Sequence, residues 1–134
     1  MSVTKIDHIG IAVKSIEEAR AFYEKGLGLQ MTHTEEVQEQ GVHVGFLPLG
    51  ESELELLEPL NPESTVARFL EKRGEGIQHI CIQVEDIEAA LAKLAAQGFK
   101  LLDKAPRVGA GGKRIAFVHP QSAHGVLIEL SEKV

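Results

Sequence analysis

Ile6-Asp7-His8-Ile9-Gly10-Ile11-Ala12-Val13 decides the fold, because the chain writes it twice. Seventy-one residues later stands Ile77-Gln78-His79-Ile80-Cys81-Ile82-Gln83-Val84. Between residues 6–19 and 77–90 eight positions are identical: Ile6, His8, Ile9, Ile11, Val13, Ile16, Glu17 and Ala19 each recur at the same offset. Both copies alternate with the period of a strand, whose successive side chains point to opposite faces. Ile9, Ile11 and Val13 share one face, and His8, Gly10 and Ala12 the other. In the second copy Ile80, Ile82 and Val84 oppose His79, Cys81 and Gln83. A single histidine at a strand start is most simply a hydrogen-bonded structural residue; its return in the second copy, again beside small side chains, marks a site.

Outward from this strand, Ser15 with Glu18 three residues on forms a capping box, which predicts a helix to about Lys25 with Ile16, Ala19, Phe22 and Tyr23 as its apolar stripe. Strands are expected at about Gln30–Gln38, Val42–Leu49 and Ser52–Glu58, with turns at Gly41 and Gly50. Pro59 to Pro62 breaks the sheet, and Ser64–Lys72 reads as a linking helix. In the second half Asp86 caps a helix over Ile87–Gln97, and strands follow at about Phe99–Leu102, Lys113–His119 and Gly125–Ser131. The predicted fold is α+β: two tandem βαβββ modules, about 4–58 and 75–132, joined by a helical linker, 59–74, in one domain spanning 1–134. They would form a curved eight-stranded mixed sheet with the helices on its outer face, leaving a concave inner face for a ligand.

At 134 residues the chain is large enough for one core without staples, and 43% hydrophobic with 25% charged residues is the composition of a soluble globular protein. A net charge of −6 argues against nucleic acid as a partner. No apolar run approaches the roughly 20 residues of a membrane helix. Met1 to Lys5 lacks the apolar core of a secretory signal, and the single Cys81 precludes an internal disulfide, so a cytoplasmic setting is expected. Lys100, Lys104, Arg107, Lys113 and Arg114 face only Asp103 in their stretch, which makes Arg107, Lys113 and Arg114 candidate phosphate contacts. Gly109-Ala-Gly-Gly-Lys-Arg lacks Walker spacing and precedes a strand rather than a helix, so it reads as a glycine-rich loop beside the site and not as a nucleotide P-loop.

The last strand of each half carries one acid among aliphatics, Leu54-Glu55-Leu56-Leu57 and Leu127-Ile128-Glu129-Leu130. Leu54 and Leu56, like Ile128 and Leu130, point one way; Glu55 and Glu129 point the other. A carboxylate buried there without a partner is costly. The duplicated plan therefore offers His8, Glu55, His79 and Glu129 on the face away from the helices. Two imidazoles and two carboxylates suit a divalent transition metal, with positions left for water or substrate. The other histidines, His33, His43, His119 and His124, have no symmetric counterpart and are expected at the surface or behind the ligands.

These features resemble the vicinal oxygen chelate (glyoxalase/bleomycin resistance/dioxygenase) superfamily and, over essentially the whole chain, its methylmalonyl-CoA epimerase family. The resemblance is carried by Ile6-Asp-His-Ile-Gly-Ile-Ala, Glu55-Leu-Leu-Glu-Pro with Ser64, Gly74-Glu-Gly-Ile-Gln-His-Ile, and Phe117-Val-His-Pro with Gly125-Val-Leu-Ile-Glu-Leu. Together these segments are specific; the His-Ile-x-Ile strand alone occurs throughout the superfamily. The resemblance implies a glyoxalase-like pair of βαβββ modules, commonly dimeric, acting as an isomerase on an acyl-CoA thioester. It makes His8, Glu55, His79 and Glu129 the ligands of a divalent metal, Co2+ first and Mn2+, Ni2+ or Zn2+ as alternatives, and it casts Glu129 as a catalytic base as well. The reaction would interconvert (2R)- and (2S)-methylmalonyl-CoA by removing the acidic α-proton to give an enolate.

Some family members carry a glutamate, proposed as a base, where this chain has Val44. His43 faces the other side of that strand, so the second base is unassigned. Related folds offer other readings: a glyoxalase I-type isomerase, weakened by Phe117-Val-His-Pro where such enzymes have Asp-Pro-Asp-Gly, a three-ligand iron dioxygenase, or a metal-free small-molecule binder. Glu55 also stands where some members have glutamine, which adds negative charge at the cation. Glu55→Gln is accordingly expected to loosen metal retention and raise turnover; equal metal content after dialysis and equal turnover in the two proteins would refute this.

Overall fold

The computed structural model describes residues 2–134, so Met1, the first residue of the stretch read as lacking a secretory signal, lies outside it. Eight strands and three α-helices follow in the order β1 (Val3–Ala12), α1 (Ile16–Arg20), β2 (His33–Val37), β3 (Val42–Leu49), β4 (Ser52–Pro59), α2 (Thr65–Arg73), β5 (Gly76–Val84), α3 (Ile87–Ala96), β6 (Arg107–Val108), β7 (Arg114–Val118) and β8 (Ile128–Glu132). This is βαβββ twice with α2 between, the glyoxalase-like plan expected from the repeat. No described helix is long and apolar enough to cross a membrane.

The chain forms two compact units, His8–Gln78 and the residues up to Asp7 together with His79–Val134. The boundary falls inside β1, which contributes to both. In the first unit the strand order is β2-β3-β4-β1, with β1 and β4 parallel and the other pairs antiparallel. In the second it is β1-β5-β8-β7-β6, with β5 and β8 parallel and β7 antiparallel to both β8 and β6. There the start of β1 is held by Glu85 N–H donating to Ser2 O at 3.0 Å and by the Thr4 hydroxyl donating to Gln83 Oε1 at 2.7 Å.

The helices α1 and α3 are each tied to their sheet by two acceptors. Ser15 accepts from Glu18 N–H and Asp86 from Ala89 N–H, as capping residues do. A glutamate at the end of the last strand supplies the second: Glu58 accepts from Ile16 N–H at 2.7 Å, and Glu132 from Ile87 N–H at 3.1 Å. The duplication thus extends to the joints. Beneath α1 lie Val13, Ile16, Leu47 and Leu56, with Ile11 and Leu54 beside them; beneath α3 lie Val84, Ile87, Leu91, Ala116 and Leu130, with Ile128 beside them. The aliphatics of β4 and β8 predicted to face the helices do so.

Several boundaries differ from expectation, two of them because a side chain takes a ladder hydrogen bond and the others because a turn or a wider helical turn intervenes. β2 starts at His33 rather than Gln30, since Met31 N–H donates to Glu24 Oε2 at 2.7 Å. It ends in a 3-10 turn, Gln38–Gln40, closed by Gly41 at φ 65°, where a Cβ would lie 3.0 Å from Asn61 and Ser64 side-chain atoms. Phe99–Leu102 is not a strand. It keeps one bridge, Leu101 to Val118, while the Asp103 carboxylate takes the Phe117 N–H at 2.8 Å, and the edge strand forms instead at Arg107–Val108. β8 starts at Ile128 rather than Gly125, because the 3-10 turn Pro120–Ala123 and left-handed His124 precede it. The first helix passes at Ala21–Gly26 into a π-helical stretch, with Leu27 N–H donating to Phe22 O at 2.9 Å.

Glu24 anchors that stretch, accepting from the Arg20 guanidinium and from Met31 N–H. The Arg20 hydrogen bond, followed by that of Met31, holds its carboxyl below the usual carboxylate value, 4.5. A depressed folded-state value gives stability that is present above the unfolded value and lost as pH falls through the folded one. Denaturant melts should therefore show Glu24→Gln less stable than wild type at pH 7, with the gap closing below about pH 4.5; a gap independent of pH would contradict the assignment.

Candidate metal centre

In the unit His8–Gln78, β1 pairs in parallel with β4 so that Gly10 lies beside Glu55. His8 is two residues earlier on β1 and therefore on the same face, and the two side chains lean together: His8 Nδ1 lies 3.1 Å from Glu55 Oε2. In the other unit β5 pairs in parallel with β8, Cys81 lies beside Glu129, and His79 is again two residues earlier. His79 Nε2 lies 2.9 Å from Glu129 Oε1. Each unit thus builds a histidine–carboxylate pair with the same register, and all four residues are only 5% exposed.

The neighbours match as well. Phe46 lies opposite Glu55 and Phe117 opposite Glu129 in the antiparallel partner strands. The Phe117 ring meets the His79 ring edge-on at 5.7 Å, and the Phe46 ring stacks with His33 at 4.3 Å. Buried carboxylates beside imidazoles, on a floor of apolar side chains, make a donor set that fits a borderline divalent cation. Each imidazole nitrogen also lies within hydrogen-bond distance of its carboxylate, so the two side chains of each pair satisfy one another.

Sequence patterning expected the four candidates on the face away from the helices, one histidine and one glutamate per unit, and the register puts the two members of each pair on one face of their unit. Patterning missed Asp7, which is 3% exposed and accepts from Lys113 Nζ at 2.8 Å. The duplication gave no signal for it, since Gln78 stands at the equivalent place. The three cations proposed for phosphate contact are engaged locally: Lys113 with Asp7, Arg114 with Glu132 and Glu88, and Arg107 3.5 Å from Asp103 with its guanidinium over the Phe117 ring. Glu88 and Glu132 raise the Arg114 guanidinium further above its usual value. Ser131, on the Glu129 face by alternation, is 1% exposed and its hydroxyl has no hydrogen-bond partner among the described residues. His43 sits across from Glu58, 4.0 Å from its carboxylate, and His119 caps a turn by accepting from Gln121 N–H; neither is on the ligand face or near the ligands in the pairing pattern.

Residues 7–117 match the model of the Glyoxalase/Bleomycin resistance protein/Dioxygenase superfamily. The chain belongs to that superfamily. Within it, the chain is 39% identical over 132 residues to an ethylmalonyl-CoA/methylmalonyl-CoA epimerase of Cereibacter sphaeroides, covering 97% of this chain and 98% of that one. It is 40% identical over 129 residues to the human mitochondrial methylmalonyl-CoA epimerase, covering 96% and 73%. Among solved structures, a methylmalonyl-CoA epimerase in complex with methylmalonyl-CoA and NH4+ superposes with a TM-score of 0.95 at 40% identity, over 99% of this chain and 96% of that one. These superfamily relatives are isomerases, and their likeness covers more of this chain than the segment matched by the superfamily model.

Ligation by the folded state alone stabilises it by mass action, about 2.7 kcal/mol at 100-fold excess over Kd. Adding Co2+ or Zn2+ to chelator-treated protein is expected to raise its thermal midpoint by several degrees, an effect that His8→Ala plus His79→Ala removes. An unchanged midpoint with every divalent metal would show that the four side chains are structural hydrogen-bonded pairs.

Proposed function

We propose that this chain is an epimerase of methylmalonyl-CoA or a closely similar 2-substituted malonyl-CoA thioester, working with one divalent cation held by His8, Glu55, His79 and Glu129. The observation that carries this reading is the pair of buried histidine–carboxylate couples at equivalent register in the two βαβββ units. Full-length relatives named as epimerases support the substrate class. A bound divalent cation would act as a Lewis acid at the thioester carbonyl and offset the negative charge that develops there.

The α-hydrogen of such a substrate is acidic because it lies between a thioester and a carboxylate. In this reading Glu129 is a proton-transfer group. It removes the α-proton from one face, the C–H electron pair delocalises into the thioester, and return of a proton to the other face completes inversion with no net redox change. The buried apolar residues around each pair, Val44, Phe46 and Leu57 in one unit and Ile115 and Cys81 in the other, keep water from quenching the enolate at random. The same reading includes Co2+ as the preferred cation, a cytoplasmic setting, and a homodimer; exposed Val3 and Ile6 on β1 support the last.

Proton NMR of (2R)- or (2S)-methylmalonyl-CoA in deuterated water tests the chemistry. Co2+-loaded protein should erase the α-proton signal and generate the other epimer, and a chelated sample should do neither. Absence of exchange in every metal form would overturn the epimerase reading and make a glutathione hemithioacetal the next substrate to try.

A further inference from the structure

Inversion at carbon calls for proton-transfer groups serving two faces of the substrate, and Glu129 serves one. Resting on the epimerase reading, we propose that Glu35 of β2 is the second proton-transfer group. The inference comes from register within the unit His8–Gln78, where side chains directly opposite across an antiparallel pair share a face.

Three rows of side chains cross the ligand face of this unit. His8, Glu53 and Pro48 form the first, Gly10, Glu55, Phe46 and His33 the second, and Ala12, Leu57, Val44 and Glu35 the third. Three carboxylates therefore lie on that face. Glu55 is engaged with His8 at 3.1 Å. Glu53 is two residues from Glu55 on the same strand and beside His8, about 7 Å along β4, which crowds it against the ligand pair. Glu35 stands two strands across from Glu55 and one row along, about 12 Å between Cα positions at ordinary strand spacing. That separation leaves the width of a small acyl group between Glu35 and the His8–Glu55 pair. The floor between is dry: Phe46, Leu57 and Val44 are all buried, and half-buried Glu35 is the polar group at its rim.

The second copy supports the choice of position. Arg107 lies opposite Ile115 as Glu35 lies opposite Val44, and Ile115 is the residue 71 positions after Val44. The outermost place in this row thus carries an ionisable, half-buried side chain in both units, acidic in one and basic in the other. In the step assigned to Glu35, its carboxylate accepts the α-proton of one epimer while the C–H electron pair enters the thioester. Glu129, protonated at the start of this half-cycle, gives its proton to the opposite face and is left as the carboxylate. The reverse reaction starts from protonated Glu35 and carboxylate Glu129, and proton exchange with solvent resets the two groups.

The test follows α-proton loss to deuterated water for each epimer separately, with metal-loaded wild type, Glu35→Gln, Glu35→Asp and Glu53→Gln. For Glu35→Gln the exchange of one epimer should fall about 100- to 1,000-fold while the other exchanges near the wild-type rate. Its kcat for inversion should fall far more than KM changes, and Glu35→Asp should restore part of the loss. A purely structural role would slow both epimers alike and would overturn the proposal. So would wild-type exchange of both epimers by Glu35→Gln, or the one-sided loss appearing in Glu53→Gln instead. If wild type itself exchanges neither epimer, the epimerase reading fails and this assignment with it.

Discussion

A carboxylate buried in a sheet must find a partner, and the parallel pairing of first and last strand in each module supplies one. Because β1 meets β4 with Gly10 beside Glu55, and β5 meets β8 with Cys81 beside Glu129, the histidine two residues upstream comes within hydrogen-bond distance in both cases. A one-residue slip in either pairing would turn the glutamate to the helix face, among aliphatic side chains with no imidazole to meet. Burial cost and register thus enforce each other: the pair is tolerable only in this alignment, and the alignment exists to serve the pair.

The rest of each unit holds that alignment. The glutamate three residues beyond the ligand, Glu58 or Glu132, takes the first free N–H of the helix and fixes where the helix sits on its sheet. Ile16 and Ile87 then bury against the aliphatics that alternate with the ligand. One short strand segment therefore does three jobs by alternation: the outward carboxylate meets the histidine, the inward aliphatics pack, and the terminal carboxylate caps.

The superfamily supports several chemistries on one frame, so what distinguishes this chain lies in the residues around the ligands. Val44 and Leu57 make a drier floor than a polar residue would, and Glu35 stands one strand outward in the same row. Local ion pairs engage Arg107, Lys113 and Arg114, three of the five basic residues of the 100–114 stretch, so its formal charge overstates the field available to an incoming anion.

The sequence by itself determined the duplication, the order of elements, the helix caps and the face carried by each ligand, since all of these are local or periodic: alternation of period two, a capping residue, and an offset of 71. Only the tertiary structure decided what depends on which backbone group a distant side chain satisfies. Glu24 delayed the start of β2 by taking the Met31 N–H, and Asp103 displaced the expected strand at Phe99–Leu102 by taking that of Phe117. It likewise revealed Asp7 with Lys113, 106 positions apart, and Glu35 beside Val44. Such partnerships are chosen by strand register and by the cost of leaving buried polar groups unmet, and neither quantity is written in a local window of sequence.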